Sequence, residues 1–298
     1  MKVLRSLLFA PANHPRRSEK AFQVGADGVI LDLEDAVALS EKAAARQAAG
    51  ARLRSRPPGI YTVVRVNGLD TEHVLADLEA VVAVGVSAIM LPKVEAATDV
   101  RIADWLITQH ERRQGLAAGS VELHAVVETA RGLLAMEEIA AASPRLRRIA
   151  FGVADFTLDT GMEWSAGNRF LEWAGALVVT VSRASGLEPP LDTVHRDLAD
   201  AEGFRRAASA ARSLGFQGKV CLHPDQVAIA NEVFTPSEAE VAEAWAIHAA
   251  FTEAEQIGQA SIQLNGRFID YPIARRARQV LEAAREAGVL PAGYKPPM

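Results

Sequence analysis

The chain has 298 residues, 49% of them hydrophobic, and a formal net charge of −5. That length holds two ordinary domains or one α/β barrel of about 250 residues with an extension, and the negative balance gives no general attraction to nucleic acid or an anionic membrane. Cys221 is the single cysteine, which excludes an intrachain disulfide and makes a reducing cytoplasm the expected compartment. The opening "MKVLRSLLFAPA" has an apolar core too short for a signal peptide, and no stretch approaches the ~18 apolar residues of a spanning helix.

Short runs rich in Val, Ile and Leu predict strands at 6–12, 28–33, 61–66, 88–91, 121–127, 148–153, 187–193 and 218–222. Between them lie Ala-, Glu- and Arg-rich stretches with helical spacing, such as "EKAAARQAAGARLRSR". Strands without strict polar alternation, separated by helices, read as a parallel sheet covered on both faces. Eight such units predict a closed (β/α)8 TIM barrel over residues 1–228, with an open doubly wound sheet as the alternative. The first strand carries no GxGxxG, so a dinucleotide fold has little support. Residues 229–298 exceed what one closing helix needs and read as a C-terminal helical and lid extension. There Thr235, Pro236 and Glu238 suggest the capping box of a helix, and Asn265-Gly266 a turn before a second helix near Pro272.

Polar residues recur at the same phase of these units. Glu34 and Asp35 follow strand 2, Arg65 and Asn67 end strand 3, and Lys93 ends strand 4. Glu128 ends strand 5, Asp155 strand 6 and His223 strand 8, with Asp192 in the weaker strand 7. Alone, each reads as a helix cap or a solvated turn. Together, at the C-terminal ends of strands that a barrel gathers at one mouth, they predict an active site.

Glu128 and Asp155 are single carboxylates with no Cys or His beside them, a donor set that suits Mg²⁺, with Mn²⁺ as a substitute. Zinc is disfavoured because no HxxxH or CxxC spacing exists. Glu34 and Asp35 would hold the ion's waters, and Asp32 is expected to face another layer with no role. Arg65 offers a planar fork for a carboxylate or a developing oxyanion, or else a salt bridge to a nearby acid; Lys93 has the same two readings. No GxSxG elbow is present and Cys221 lies in strand 8, so metal-assisted enolate chemistry is favoured over an acyl-enzyme.

The segments "RSLLFAPAN", "GVILDLEDAV", "VVRVNG", "LPKVE", "VVETARG", "FGVADFTLDTG", "GKVCLHPDQV" and "GRFIDYPIARRA" occur in an order that resembles the citrate lyase β-subunit (CitE-like) group of the HpcH/HpaI aldolase/citrate lyase family. The resemblance covers essentially the whole chain. It implies a (β/α)8 barrel, commonly a homotrimer, that cleaves 3-hydroxyacyl-CoA thioesters such as citryl-, malyl- or citramalyl-CoA with Mg²⁺. It implies Glu128 and Asp155 as metal ligands, and Arg65 and Glu128 as contacts to the keto-acid part of the substrate. It makes Asp270 a catalytic acid/base carried by a lid exchanged between subunits; without it, Asp270 reads as a helix-start residue. Asn13, His14 and Arg16 would lie near the CoA or carrier arm. The chain departs from the usual pattern at Ala12, often Gly, at Ala154, often Glu, and in "LEWAGALVVTVSRA", which usually holds an early Arg. Rival readings are an acyl-CoA thioesterase, a subunit that works only in a complex with an acyl-carrier protein, and a pyruvate-type class II aldolase. The last expects "DxEH" where this chain reads "DLEDAV".

Overall fold

The computed structural model describes residues 3–83, 85–165 and 167–290; the outermost parts of both expected domains, 1–2 and 291–298, lie outside them. In chain order, β1 (Ser6–Pro11) leads to α1 (Pro15–Ala21), β2 (Gly28–Asp32) to α2 (Lys42–Ser55), and β3 (Tyr61–Arg65) to α3 (Val74–Val81). Next come β4 (Ala88–Leu91), α4 (Ala97–Arg113), β5 (Glu122–Val127) and the short pair α5 (Ala130–Leu134) and α6 (Met136–Ala140). β6 (Leu146–Phe151) is followed by α7 (Val153–Thr160) and α8 (Arg169–Ala184), β7 (Leu191–Asp192) by α9 (Ala201–Leu214), and β8 (Gly218–Cys221) by α10 (Pro224–Phe234). The eight strands pair in sequence order and β1 also pairs with β8, which closes a parallel barrel. The (β/α)8 expectation holds. β2, β4 and β8 are buried along their whole length because helices cover the outer face while Leu7, Ile30, Val63, Met90, Val126 and Val220 fill the inside.

Strand 7 differs from the expected run. Its ladder is one pair to β6 and two to β8, because Pro189 and Pro190 carry no N–H to donate; ahead of Leu191 the Glu188 N–H reaches the Arg147 carbonyl and the Gln217 N–H the Pro190 carbonyl. Side chains supplement the short ladder. Buried Arg148 on β6 donates to the Pro189 carbonyl and to Glu188, and buried Lys219 on β8 pairs with Asp192.

Contacts group the chain into two compact units, Leu4–Glu232 and a smaller one made of the residues on either side. The smaller unit contains α11 (Glu238–Gln256), the hairpin β9 (Ser261–Leu264) and β10 (Arg267–Asp270), and α12 (Tyr271–Glu286). Asn265 and Gly266 both have positive φ, the conformation a two-residue hairpin turn requires. α12 lays Ala277, Leu281 and Ala284 against Val241 and Ala244 of α11. The α11 cap falls two residues later than the sequence suggested. Ser237, not Thr235, accepts the Glu240 N–H, and Glu240, not Glu238, reaches back to the Ser237 N–H, so Pro236 precedes the cap.

Candidate active site

Inward positions on β2 are Gly28, Ile30 and Asp32, and on β3 Tyr61, Val63 and Arg65, since side chains alternate along a strand. Asp32 and Arg65 therefore meet at the C-terminal mouth, paired in register as well. This corrects the expectation for Asp32. Arg65 donates from Nε to Oδ1 at 2.7 Å and from Nη2 to Oδ2 at 2.8 Å. The backbone N–H groups of Glu34 and Ala36 complete the hold on Asp32. Burial opposes ionisation of Asp32, but Arg65 overcomes it and keeps the carboxyl below its ordinary value. Burial likewise opposes the charge on Arg65, and Asp32 and Glu34 reverse that, holding it above the usual arginine value. The guanidinium lies 4.8 Å from the Phe9 ring centroid, with Nη1 2.9 Å from Glu34. Both readings of Arg65 thus have support: it is ion-paired, and it lines the mouth.

Glu34 is buried and lies 3.4 Å from the Lys93 ammonium. Burial raises its pKa to about 6 despite Arg65 and Lys93, and exposed Asp35 adds to the rise. Lys93 has a φ of 53°, unusual for a residue with a Cβ. Its N–H donates to Glu128 Oε1 at 2.8 Å. Glu128 is 3% exposed; burial first, then Asp155 and Glu34, push its pKa up to about 8. Asp155 does not end a strand. It sits in the first turn of α7, where it shares a cavity of about 530 Å³ with Lys93 and Glu128 and another of about 700 Å³ with Asp32, Asp35 and Arg65.

The other predicted residues are placed as follows. Asn67 is buried beside the site, where it accepts from Lys42 Nζ at 2.7 Å and donates to the Leu33 carbonyl and to Asp77. Lys42 also donates to the Leu33 and Glu34 carbonyls, so these three side chains brace the loop that carries Glu34. Lys42 and Asp77 were missed because both lie inside helical patterns, with nothing local to mark them. Asp192, expected among the mouth residues, instead pairs with Lys219 behind the strands, where Lys219 Nζ lies 5.7 Å from the Phe204 ring of α9. His223 is half-buried beside Asp225 and lines the 700 Å³ cavity. Asn13 and Arg16 flank the start of α1, but Arg17 and Lys20 are the α1 cations that line the 700 Å³ cavity. Cys221 is fully buried and its thiol is pushed up to about 12, which removes it as a nucleophile. Asp270, in the smaller unit, caps α12 by accepting the Ile273 N–H at 3.3 Å.

Among the described residues no group of three or more His, Cys, Asp and Glu is arranged to hold a metal alone. The mouth nevertheless gathers Asp32, Glu34, Asp35, Glu128 and Asp155 around Arg65 and Lys93. Its excess negative charge, and a Glu128 carboxyl forced upward partly by Asp155, fit a hard cation that keeps several of its own waters.

The sequence profile of the HpcH/HpaI aldolase/citrate lyase family matches residues 5–224. The chain belongs to this family. It is 39% identical over 286 residues to a citrate lyase subunit beta of Haemophilus influenzae, covering 96% of this chain and 98% of that protein. It is 38% identical over 309 residues to an L-malyl-CoA/beta-methylmalyl-CoA lyase of Rhodobacter capsulatus, covering 97% and 96%. A similar solved structure is the CitE protein of Mycobacterium tuberculosis in complex with magnesium, acetoacetate and coenzyme A. It is 33% identical, with a TM-score of 0.75, over 95% of this chain and 97% of that one.

Proposed function

We propose that this family member is a Mg²⁺-dependent carbon–carbon lyase that cleaves a 3-hydroxyacyl-CoA thioester to an acyl-CoA and a 2-keto acid. The observation that carries the reading is one mouth holding Glu128, Asp155 and a buried, ion-paired Arg65. It is supported by relatives named for citrate and malyl-CoA cleavage and by a solved CitE complex that contains magnesium and coenzyme A.

In this reading Glu128 and Asp155 would hold the ion, with Glu34 and Asp35 beside them for its waters. When bound, Mg²⁺ supplies a Lewis acid for the substrate's carboxylate and the oxygen that becomes a carbonyl. Arg65 binds the charge on that oxygen, already oriented by Asp32, and Lys93 adds a second cation at the rim. Asn13 and Arg16 would meet the CoA arm. As the carbon–carbon bond breaks the hydroxyl gives up its proton to solvent, its oxygen becomes the keto group, and Asp270 gives a proton to the carbon released from the bond, an assignment resting on "GRFIDYPIARRA". A homotrimer with exchanged lids, in the cytoplasm, completes the proposal; among the described residues no helix is long and apolar enough to cross a membrane.

A second reading follows from the first relative's being a named subunit: the chain would work only with an acyl-carrier protein partner. Purified protein assayed with Mg²⁺ against citryl-, malyl- and citramalyl-CoA decides between them. Release of a keto acid and an acyl-CoA is expected. Free CoA without a keto acid would mean a thioesterase, cleavage of free hydroxy-keto acids alone an aldolase, and activity only on carrier-bound substrate the subunit reading.

A further inference from the structure

We infer that Gly152 and the left-handed backbone of Lys93 form a clamp that sets the position of the Glu128 carboxylate. The inference deepens the proposed function and rests on Glu128 being a metal ligand.

Gly152 stands between β6 and α7 with φ −87° and ψ 81°, which any L-residue adopts. Conformation does not demand a glycine there. Space does: a Cβ at Gly152 would lie 2.6 Å from Glu128 Cβ, overlap Glu128 Oε2, and lie 3.1 Å from Val126 Cγ1. Nor can the backbone withdraw. The Gly152 N–H donates to the Val127 carbonyl at 3.0 Å, and its carbonyl accepts the Phe156 N–H in the first turn of α7. The α-carbon of residue 152 is thus fixed against the side chain of residue 128.

Lys93 closes the other side. Its N–H donates to Glu128 Oε1, and the next N–H, of Val94, donates to the Val126 carbonyl at 3.1 Å. Two successive donors therefore reach the Glu128 side chain, just past β5, and the Val126 carbonyl within it, and the positive φ at Lys93 is the local conformation that accompanies this. A buried carboxylate crowded by Asp155 and Glu34 would otherwise turn away or take up a proton. Here one oxygen is tied to a backbone donor and the other occupies the space the glycine leaves. Gly152 is a positioning residue for Glu128, and so is the Lys93 backbone, independently of the Lys93 amine.

The test is calorimetric titration of Mg²⁺ into substrate-free protein, with thermal unfolding in parallel. Gly152→Ala is expected to weaken Mg²⁺ affinity by about 10–100-fold, as loss of ligand orientation does elsewhere. Most of its thermal penalty should disappear in a Glu128→Gly background, where the crowded side chain is gone and only the 3.1 Å approach to Val126 Cγ1 remains. Lys93→Gly keeps the left-handed backbone and its N–H, and should bind Mg²⁺ at least as tightly as the parent, a cation having been removed. Lys93→Val, β-branched and unfit for positive φ, should lose affinity as Gly152→Ala does. Parent-like Mg²⁺ affinity in Gly152→Ala overturns the inference, as does a thermal penalty that is undiminished with Glu128→Gly. If Gly152→Ala does not fold, the Lys93 pair decides, and equal affinities overturn the clamp. Undiminished Mg²⁺ binding in Glu128→Gly brings down the metal reading itself, and the clamp with it.

Discussion

Asp32 shows how a single side chain sets the behaviour of another. Its two oxygens take two of the donors on Arg65, so the guanidinium reaches the mouth in one orientation. Asp32→Asn keeps the shape but leaves Arg65 with Glu34 as its remaining close ion-pair partner. We expect kcat/KM to fall by about 100-fold through misplacement of Arg65 and stability to fall by about 3 kcal/mol, as when one member of a buried pair is removed. Steady-state kinetics and urea unfolding measure the two effects, and a fully active variant would return Asp32 to having no role. The sequence carried Glu34, Arg65, Lys93, Glu128 and Asp155 because each ends an apolar run. It carried the clue to Asp32 as well, in its two-residue spacing from Ile30, but three neighbouring acids obscured which one faced inward. A second residue-scale expectation concerns His124, which is fully buried with Nε2 3.0 Å from the Tyr61 hydroxyl. Burial, then Arg148, depress its pKa to about 3, so the folded protein holds it neutral. The unfolded chain binds a proton there below about pH 6.5 while the folded one does not, so stability is complete above that pH and is lost as the pH falls. Between pH 6.5 and 5 the wild type should lose as much as ~2 kcal/mol more than His124→Gln, measured by denaturant unfolding at each pH. Parallel pH profiles would reject this.

At the scale of elements, burial on both sheet faces made the barrel strands easy to find, whereas two elements were displaced by backbone chemistry. Pro189 and Pro190 delayed β7, and the α11 cap moved from Thr235 to Ser237. "TPSEAE" offers both Thr235 and Ser237 as caps, and composition does not rank them. Each has a Glu three residues on, Glu238 or Glu240, and the pair that closes reciprocally in the structure is Ser237 with Glu240. Ser237→Ala should therefore cost about 1 kcal/mol, while Thr235→Ala should leave the α11 cap intact. Thermal unfolding of the two variants compares them directly, and a larger loss at Thr235 would restore the sequence reading.

For the whole molecule, the proposed exchange of lids makes a prediction no single chain can satisfy. Asp270→Asn and Arg65→Ala proteins should each be nearly inactive, yet random mixing in a trimer would unite an intact Asp270 with an intact Arg65 at about a quarter of sites. Recovery of activity after mixing and reassembly is the expected result; its absence would confine each active site to one chain. The role proposed for Asp270 rests on the likeness of its motif alone, since its local geometry is that of a helix cap. The brevity of β7 has a separate consequence, for motion. A closed parallel barrel spreads strain evenly when every seam carries several backbone bonds, but here one seam has one residue pair on one side and two on the other. The ionic contacts Arg148–Glu188 and Lys219–Asp192 act there as rivets across a gap. Opening of the ring should begin at that seam. Amide hydrogens flanking residues 187–193 should exchange with deuterium through small local fluctuations, while those of β2 and β3 wait for global unfolding. Loss of a rivet, as in Lys219→Met, should quicken exchange at the seam first.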